Sequence, residues 1–141
     1  MVRARSARYI VVSGSATITS MHKSRYASVK PFTTKDGSII RELMHPTVHG
    51  NANQSLAEAI VAVGKGTHLH KHHRSEEIYH VTAGEGRMVR GDEIFAINPG
   101  DTICILPGTP HRVDNTGATE LKILCCCSPP YSHEDTELLD K

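Results

Sequence analysis

A chain of 141 residues fits one domain and buries roughly two-thirds of its unfolded surface, so its core needs no disulfide support. A formal net charge of +1 gives no electrostatic case for nucleic acid or an anionic membrane, and no apolar run approaches the ~18 residues of a membrane span. Three of the four cysteines are consecutive, Cys125 to Cys127, a poor disulfide framework that fits a reducing cytoplasm.

Residues 1–20 carry three arginines and no acidic residue. The apolar run Tyr9 to Val12 is too short for a secretory leader. The segment reads as a disordered arm over 1–25, or as a stretch translated ahead of a start at Met21. A β-domain is expected over 26–130, and a tail over 131–141. Lys35-Asp36-Gly37 signals a turn. Ser38 to Leu43 alternates as a strand, with Ile39, Arg41 and Leu43 on one face and Ile40 and Glu42 on the other. Ser55 to Val63 suits a helix by composition, but nine residues between an Asn-rich turn and a Gly-Lys-Gly turn is strand length. His68 to His72 is a short strand, and His73-Arg74-Ser75 a bend. Glu77 to Thr82, Arg87 to Arg90, Glu93 to Ile97, Thr102 to Leu106, a strand opening at His111, and Glu120 to Cys127 follow. Gly, Pro, Asn or Asp punctuates each. Short strands at this rhythm predict an all-β sandwich or barrel. The C-terminal stretch from Ser128 to Asp140, with two prolines and clustered charges, is expected over the outside or across one end.

The stretch Gly64 to Gly86 holds five of the ten histidines. Residues two apart on a strand share a face, so His70 and His72 present two imidazoles to one ion. Glu77 is a carboxylate shortly downstream. His111 follows a Pro-Gly-Thr-Pro turn at the start of a strand, 34 residues after Glu77. A run such as HLHKHH alone also reads as an exposed polar loop. Its conjunction with Glu77 and His111 favours a site for one divalent transition metal ion: Fe(II), Mn, Ni, Zn or Co. Four protein ligands on an octahedral ion leave two positions for water or substrate.

Other positions are candidates for a substrate pocket. Tyr79 and Val81 share the face of Glu77. Arg41, Gln54 and Glu58 are polar candidates from preceding strands, and Arg41 would suit an anion. By alternation His68 joins His70 and His72 near a pocket mouth. His73 falls in the bend, and His80 points away from Glu77. Leu121, Ile123, Cys125 and Cys127 are expected inward, the cysteines as inert packing. Met88 and Ile105 read as walls.

Gly64, His70, His72, Glu77 and Gly84 reproduce the first signature of the cupin superfamily: Gly, five residues, His-x-His, four residues, Glu, six residues, Gly. Gly100, Gly108, His111 and Asn115 resemble the second. One departure is Leu106, where the family usually has proline; Pro107 follows it. The resemblance covers roughly residues 55–127. It implies a double-stranded β-helix or jelly-roll barrel with the metal inside, and a homodimer. The surrounding text resembles the small single-domain cupins labelled mannose-6-phosphate-isomerase-like, a label that says little about the reaction.

Vacant metal positions allow Lewis-acid chemistry (isomerisation, epimerisation, cyclisation or lyase steps) or O₂ activation at Fe(II) by a dioxygenase. The first, on a sugar-like or oxo-acid substrate, is the expectation. A metal-containing module that binds a small ligand without turnover is the alternative. No dinucleotide fingerprint or phosphate loop separates them.

Overall fold

The computed structural model describes residues 22–140, so most of the arm expected over 1–25 lies outside the described residues. The strands are β1 (Phe32–Thr33), β2 (Ile39–Met44), β3 (Ser55–Val61), β4 (His70–His72), β5 (Glu76–Ala83), β6 (Gly86–Arg90), β7 (Glu93–Ile97), β8 (Thr102–Ile105), β9 (His111–Asn115), β10 (Leu121–Ser128) and β11 (Thr136–Leu138). A 3₁₀ turn at Tyr26–Ser28 and one α-helical turn, α1 (Pro46–His49), are the helical pieces among the described residues. Two antiparallel sheets result: a six-stranded one ordered β1-β2-β3-β10-β5-β8 and a five-stranded one ordered β11-β4-β9-β6-β7. No helix among the described residues is long and apolar enough to cross a membrane.

Alternation sets which side chains meet. On β10, Leu121, Ile123, Cys125 and Cys127 are buried and the residues between them are not. Cross-strand register carries this inner face over the larger sheet in three rows. Ile40, Ala59, Ile123 and Val81 form the first. Glu42, Ala57, Cys125, Tyr79 and Ile103 form the second. Ser55, Cys127, Glu77 and Ile105 form the third. The rows grade from apolar to polar along the strands. Met88, Ile97 and Val113 close the core from the smaller sheet. Each fully buried aliphatic side chain here stabilises the fold by about 1.5–3 kcal/mol.

The tail adds an edge strand to the smaller sheet. Thr136 and Leu138 of β11 stand opposite His72 and His70 of β4. The buried Asp135 carboxylate accepts the Arg74 and Ser75 backbone N–H groups, each at 3.0 Å, and the Asp135 carbonyl accepts the His73 N–H at 3.0 Å. Lys35 Nζ donates to the Thr136 carbonyl at 2.7 Å. The bend after β4 and the edge of β4 leave backbone groups that need partners, and the tail supplies them.

Candidate metal centre

β4 is three residues long, and both its terminal side chains, His70 and His72, are buried on its inner face. β9 pairs with it through His70 opposite His111, which brings the third imidazole alongside. Glu77 approaches from β5 in the facing sheet. One ligand atom from each of His70, His72, Glu77 and His111 lies within 4.8 Å of the others, and all four residues are buried. Donors at ~2.1 Å from one ion lie at most ~4.2 Å apart, so a small contraction would close the group on a cation.

Hydrogen bonds behind the rings assign the tautomers. His70 Nδ1 meets the His68 carbonyl at 2.8 Å, and His111 Nδ1 meets the Thr109 carbonyl at 2.9 Å. A carbonyl only accepts, so each Nδ1 carries the proton. His72 Nδ1 lies 3.0 Å from Thr136 Oγ1. That hydroxyl spends its own proton on the Ser132 carbonyl at 2.9 Å, so it accepts from His72. All three neutral rings therefore aim Nε2 lone pairs inward. There His72 Nε2 and His111 Nε2 stand 3.0 and 3.2 Å from the same oxygen, Glu77 Oε2. Lone pairs facing a carboxylate repel unless a proton or a metal ion lies between them. The donor set fits a borderline divalent ion.

The electrostatics agree. Burial pushes His70 below its ordinary value, and His111 adds to this. Burial also pushes His72 down, but the Glu77 carboxylate outweighs it and the ring ends higher than usual. Glu77 is pushed up by burial, yet its contacts with His111 and His72 hold it well below the carboxylate range. Its other oxygen, Oε1, accepts the Cys127 thiol at 3.4 Å. Burial raises the Cys125 and Cys127 thiols, which keeps both protonated.

A cavity of about 50 Å³ adjoins this group between the sheets. That is room for on the order of four waters. Of the pocket candidates, Tyr79 lines it. Arg41 stands on the opposite face of β2 from Ile40 and Glu42; it donates to the Val29 carbonyl and stacks on the Tyr26 ring at 4.6 Å. Glu58 also faces outward, accepting the Tyr26 hydroxyl at 2.6 Å. Gln54 sits beside Cys126, 3.8 Å from its sulfur. His68 precedes β4, where no ladder enforces alternation; it is 58% exposed and lies 3.4 Å from Asp140.

Three residues of the site carry no sequence signal of their own. Asp36 reads as a turn residue, yet it lines the cavity with Oδ2 3.8 Å from His70 Nε2. Tyr131, which packs edge-on to His72 with ring centres 5.9 Å apart, and Thr136 come from the tail.

The family model described as Cupin domain matches residues 57–127. The uncharacterized protein MJ1618 of Methanocaldococcus jannaschii is 58% identical over 118 residues, 84% of this chain and 94% of that protein. Among solved structures, a predicted oxalate decarboxylase from Thermotoga maritima superposes with a TM-score of 0.66 at 25% identity, covering 74% of this chain and 96% of that one. The polyketide cyclase RemF from Streptomyces resistomycificus superposes with a TM-score of 0.72 at 21% identity, covering 86% of this chain and 87% of that one. The second of these likenesses is one of fold alone. The matched span and the relative identical at more than half its positions make this chain a member of the cupin family, built on the all-β sandwich its strand rhythm predicts and the jelly roll the cupin signatures imply.

Proposed function

We propose that the chain is a metal-dependent cupin enzyme that performs Lewis-acid chemistry on a small molecule. One observation carries this reading: three imidazoles with Nδ1 occupied from behind converge, through Nε2, on a single buried carboxylate. His70, His72, His111 and Glu77 would hold the ion. When bound, a divalent ion polarises a carbonyl or hydroxyl oxygen presented to it. The protein's own contribution is to fix the four donors and to confine the substrate. Tyr79 is kept protonated by burial, so its hydroxyl remains a hydrogen-bond donor in the wall. Val113, Ile123 and Ala59 make part of the lining apolar. Arg41 is the side chain that would argue for an anionic oxo acid, and it does not line the cavity. We take the working unit to be a homodimer, which sedimentation equilibrium tests.

Elemental analysis of protein purified without added metal, followed by assays with and without oxygen, tests the reading. One transition ion per chain and turnover under nitrogen are expected. Oxygen consumption with Fe(II) would replace Lewis-acid chemistry by a dioxygenase. Ligand-induced melting shifts without turnover would leave a binding module.

A further inference from the structure

The cavity's charge points to the class of molecule it accepts. No Lys or Arg among the described residues lines it. Cations on neighbouring elements are engaged elsewhere. Lys35 binds the Thr136 carbonyl, Arg41 binds the Val29 carbonyl, and Arg90 pairs with Glu93 and the Cys104 carbonyl. Two acids besides Glu77 do line it, Asp36 and Glu42. Their two formal charges more than cancel the single excess charge of a divalent ion on Glu77. A dicarboxylate entering here would meet net repulsion in a space where charges interact strongly.

Asp36 is built as an acceptor. Its Oδ1 takes three donors: the Thr34 hydroxyl at 2.6 Å, the Ser38 hydroxyl at 2.6 Å and the Ser38 N–H at 3.0 Å. These hold the carboxylate rigidly and leave Oδ2 facing the cavity beside His70. The remaining lining mixes aliphatic side chains with aromatic, thiol and hydroxyl groups, and Phe32, 42% exposed, stands on the rim. Walls that include the Phe32 and Tyr79 rings, with a fixed acceptor beside them, suit a ring with a hydroxyl on it.

Resting on the metal-dependent reading above, we propose that this cavity takes an uncharged, hydroxyl-bearing ring, phenol- or enol-like. Its hydroxyl hydrogen is accepted by Asp36 Oδ2, and small dicarboxylate anions such as oxalate are turned away.

Catechol and oxalate test this on the Co(II)-loaded protein. Catechol is uncharged near neutral pH, and one of its oxygens can approach the ion while the other hydroxyl keeps its hydrogen for Asp36; oxalate is a dianion that chelates through two oxygens. Binding is followed by the visible Co(II) spectrum. Asp36→Asn keeps an oxygen for Thr34 and Ser38 and removes the charge and the free acceptor. It is expected to weaken catechol about tenfold and to tighten oxalate about tenfold. Glu42→Gln is expected to tighten oxalate and leave catechol unchanged. If Asp36→Asn does not fold, displacement on the wild type decides, and oxalate displacing catechol at equal concentration overturns the inference. So does any Asp36→Asn result in which both probes shift the same way or neither shifts. Failure to take up Co(II) at all overturns the metal reading first, and this inference with it.

Discussion

Thr136 Oγ1 accepts the Nδ1 proton of His72 at 3.0 Å while giving its own proton to the Ser132 carbonyl at 2.9 Å. A residue 64 positions away in sequence thus decides which nitrogen of His72 faces the centre. Groups behind metal-binding histidines typically contribute 10–100-fold to metal affinity. Thr136→Val keeps the shape and removes the acceptor, so Zn(II) affinity should fall by about that factor, and Thr136→Ser should restore it. Competition with a chromophoric chelator reads the change. Equal affinities for Thr136→Val and the wild type would show that the hydroxyl does not orient the ring.

Proton competition follows from the shifted rings. In the metal-free protein the folded value of His72 lies above its unfolded value near 6.5. Its stabilisation is therefore complete below about pH 6.5 and disappears as pH rises through the folded value. His70 is shifted the other way, so its contribution falls as pH drops below about 6.5. The two oppose each other in the metal-free chain. A metal ion needs both rings neutral at Nε2, and His72 is the harder one to deprotonate. The rise in melting temperature caused by saturating Zn(II) should be small at about pH 5.5 and large at about pH 8. Calorimetry at both values checks this; a shift independent of pH would mean that no ring gives up a proton on binding.

Much of the architecture is legible because burial follows a period of two. The rows through Tyr79 and Cys125 and through Glu77 and Cys127 are written into the amino-acid sequence as alternation along β5 and β10. The spacing of His70, His72 and Glu77 likewise places three donors. What alternation does not give is the facing of a strand with mixed faces. Ile40 and Glu42 of β2 turn inward, so Arg41 turns out. It also fails where no ladder holds the chain, as at His68. Asp36, Tyr131 and Thr136 reach the site through tertiary contacts alone; Lys35 bonds to the Thr136 carbonyl across 101 positions. Local pattern carries no trace of such pairings.

The cysteines separate into two classes. Cys104 is exposed, whereas Cys125 and Cys127 are buried. Burial raises both buried thiols, and thiolate is the reactive form. A thiol-reactive chromophore should therefore modify Cys104 within minutes, Cys126 more slowly, and Cys125 and Cys127 only in denaturant. Peptide mapping assigns the sites. Modification of Cys127 in the native protein would indicate that the cavity face of β10 opens to reagent.

Two glycines of the signature have different physical reasons, which substitution should separate. Gly64 and Gly84 both have positive φ, 71° and 79°. Alanine in that region costs about 1–2 kcal/mol at either place. At Gly64 an added Cβ would meet nothing within 4 Å. At Gly84, between β5 and β6, it would run into the Glu120 carbonyl oxygen and lie 2.8 Å from Leu121 Cα. Those are backbone atoms at the start of β10, the strand at the middle of the larger sheet, and they cannot rotate away. Overpacking of that kind adds about 1–3 kcal/mol. Gly84→Ala should therefore destabilise by about 2–5 kcal/mol and Gly64→Ala by about 1–2, both read from urea midpoints at constant slope. Equal losses would mean that β10 yields at its start, and that left-handed backbone alone explains both glycines.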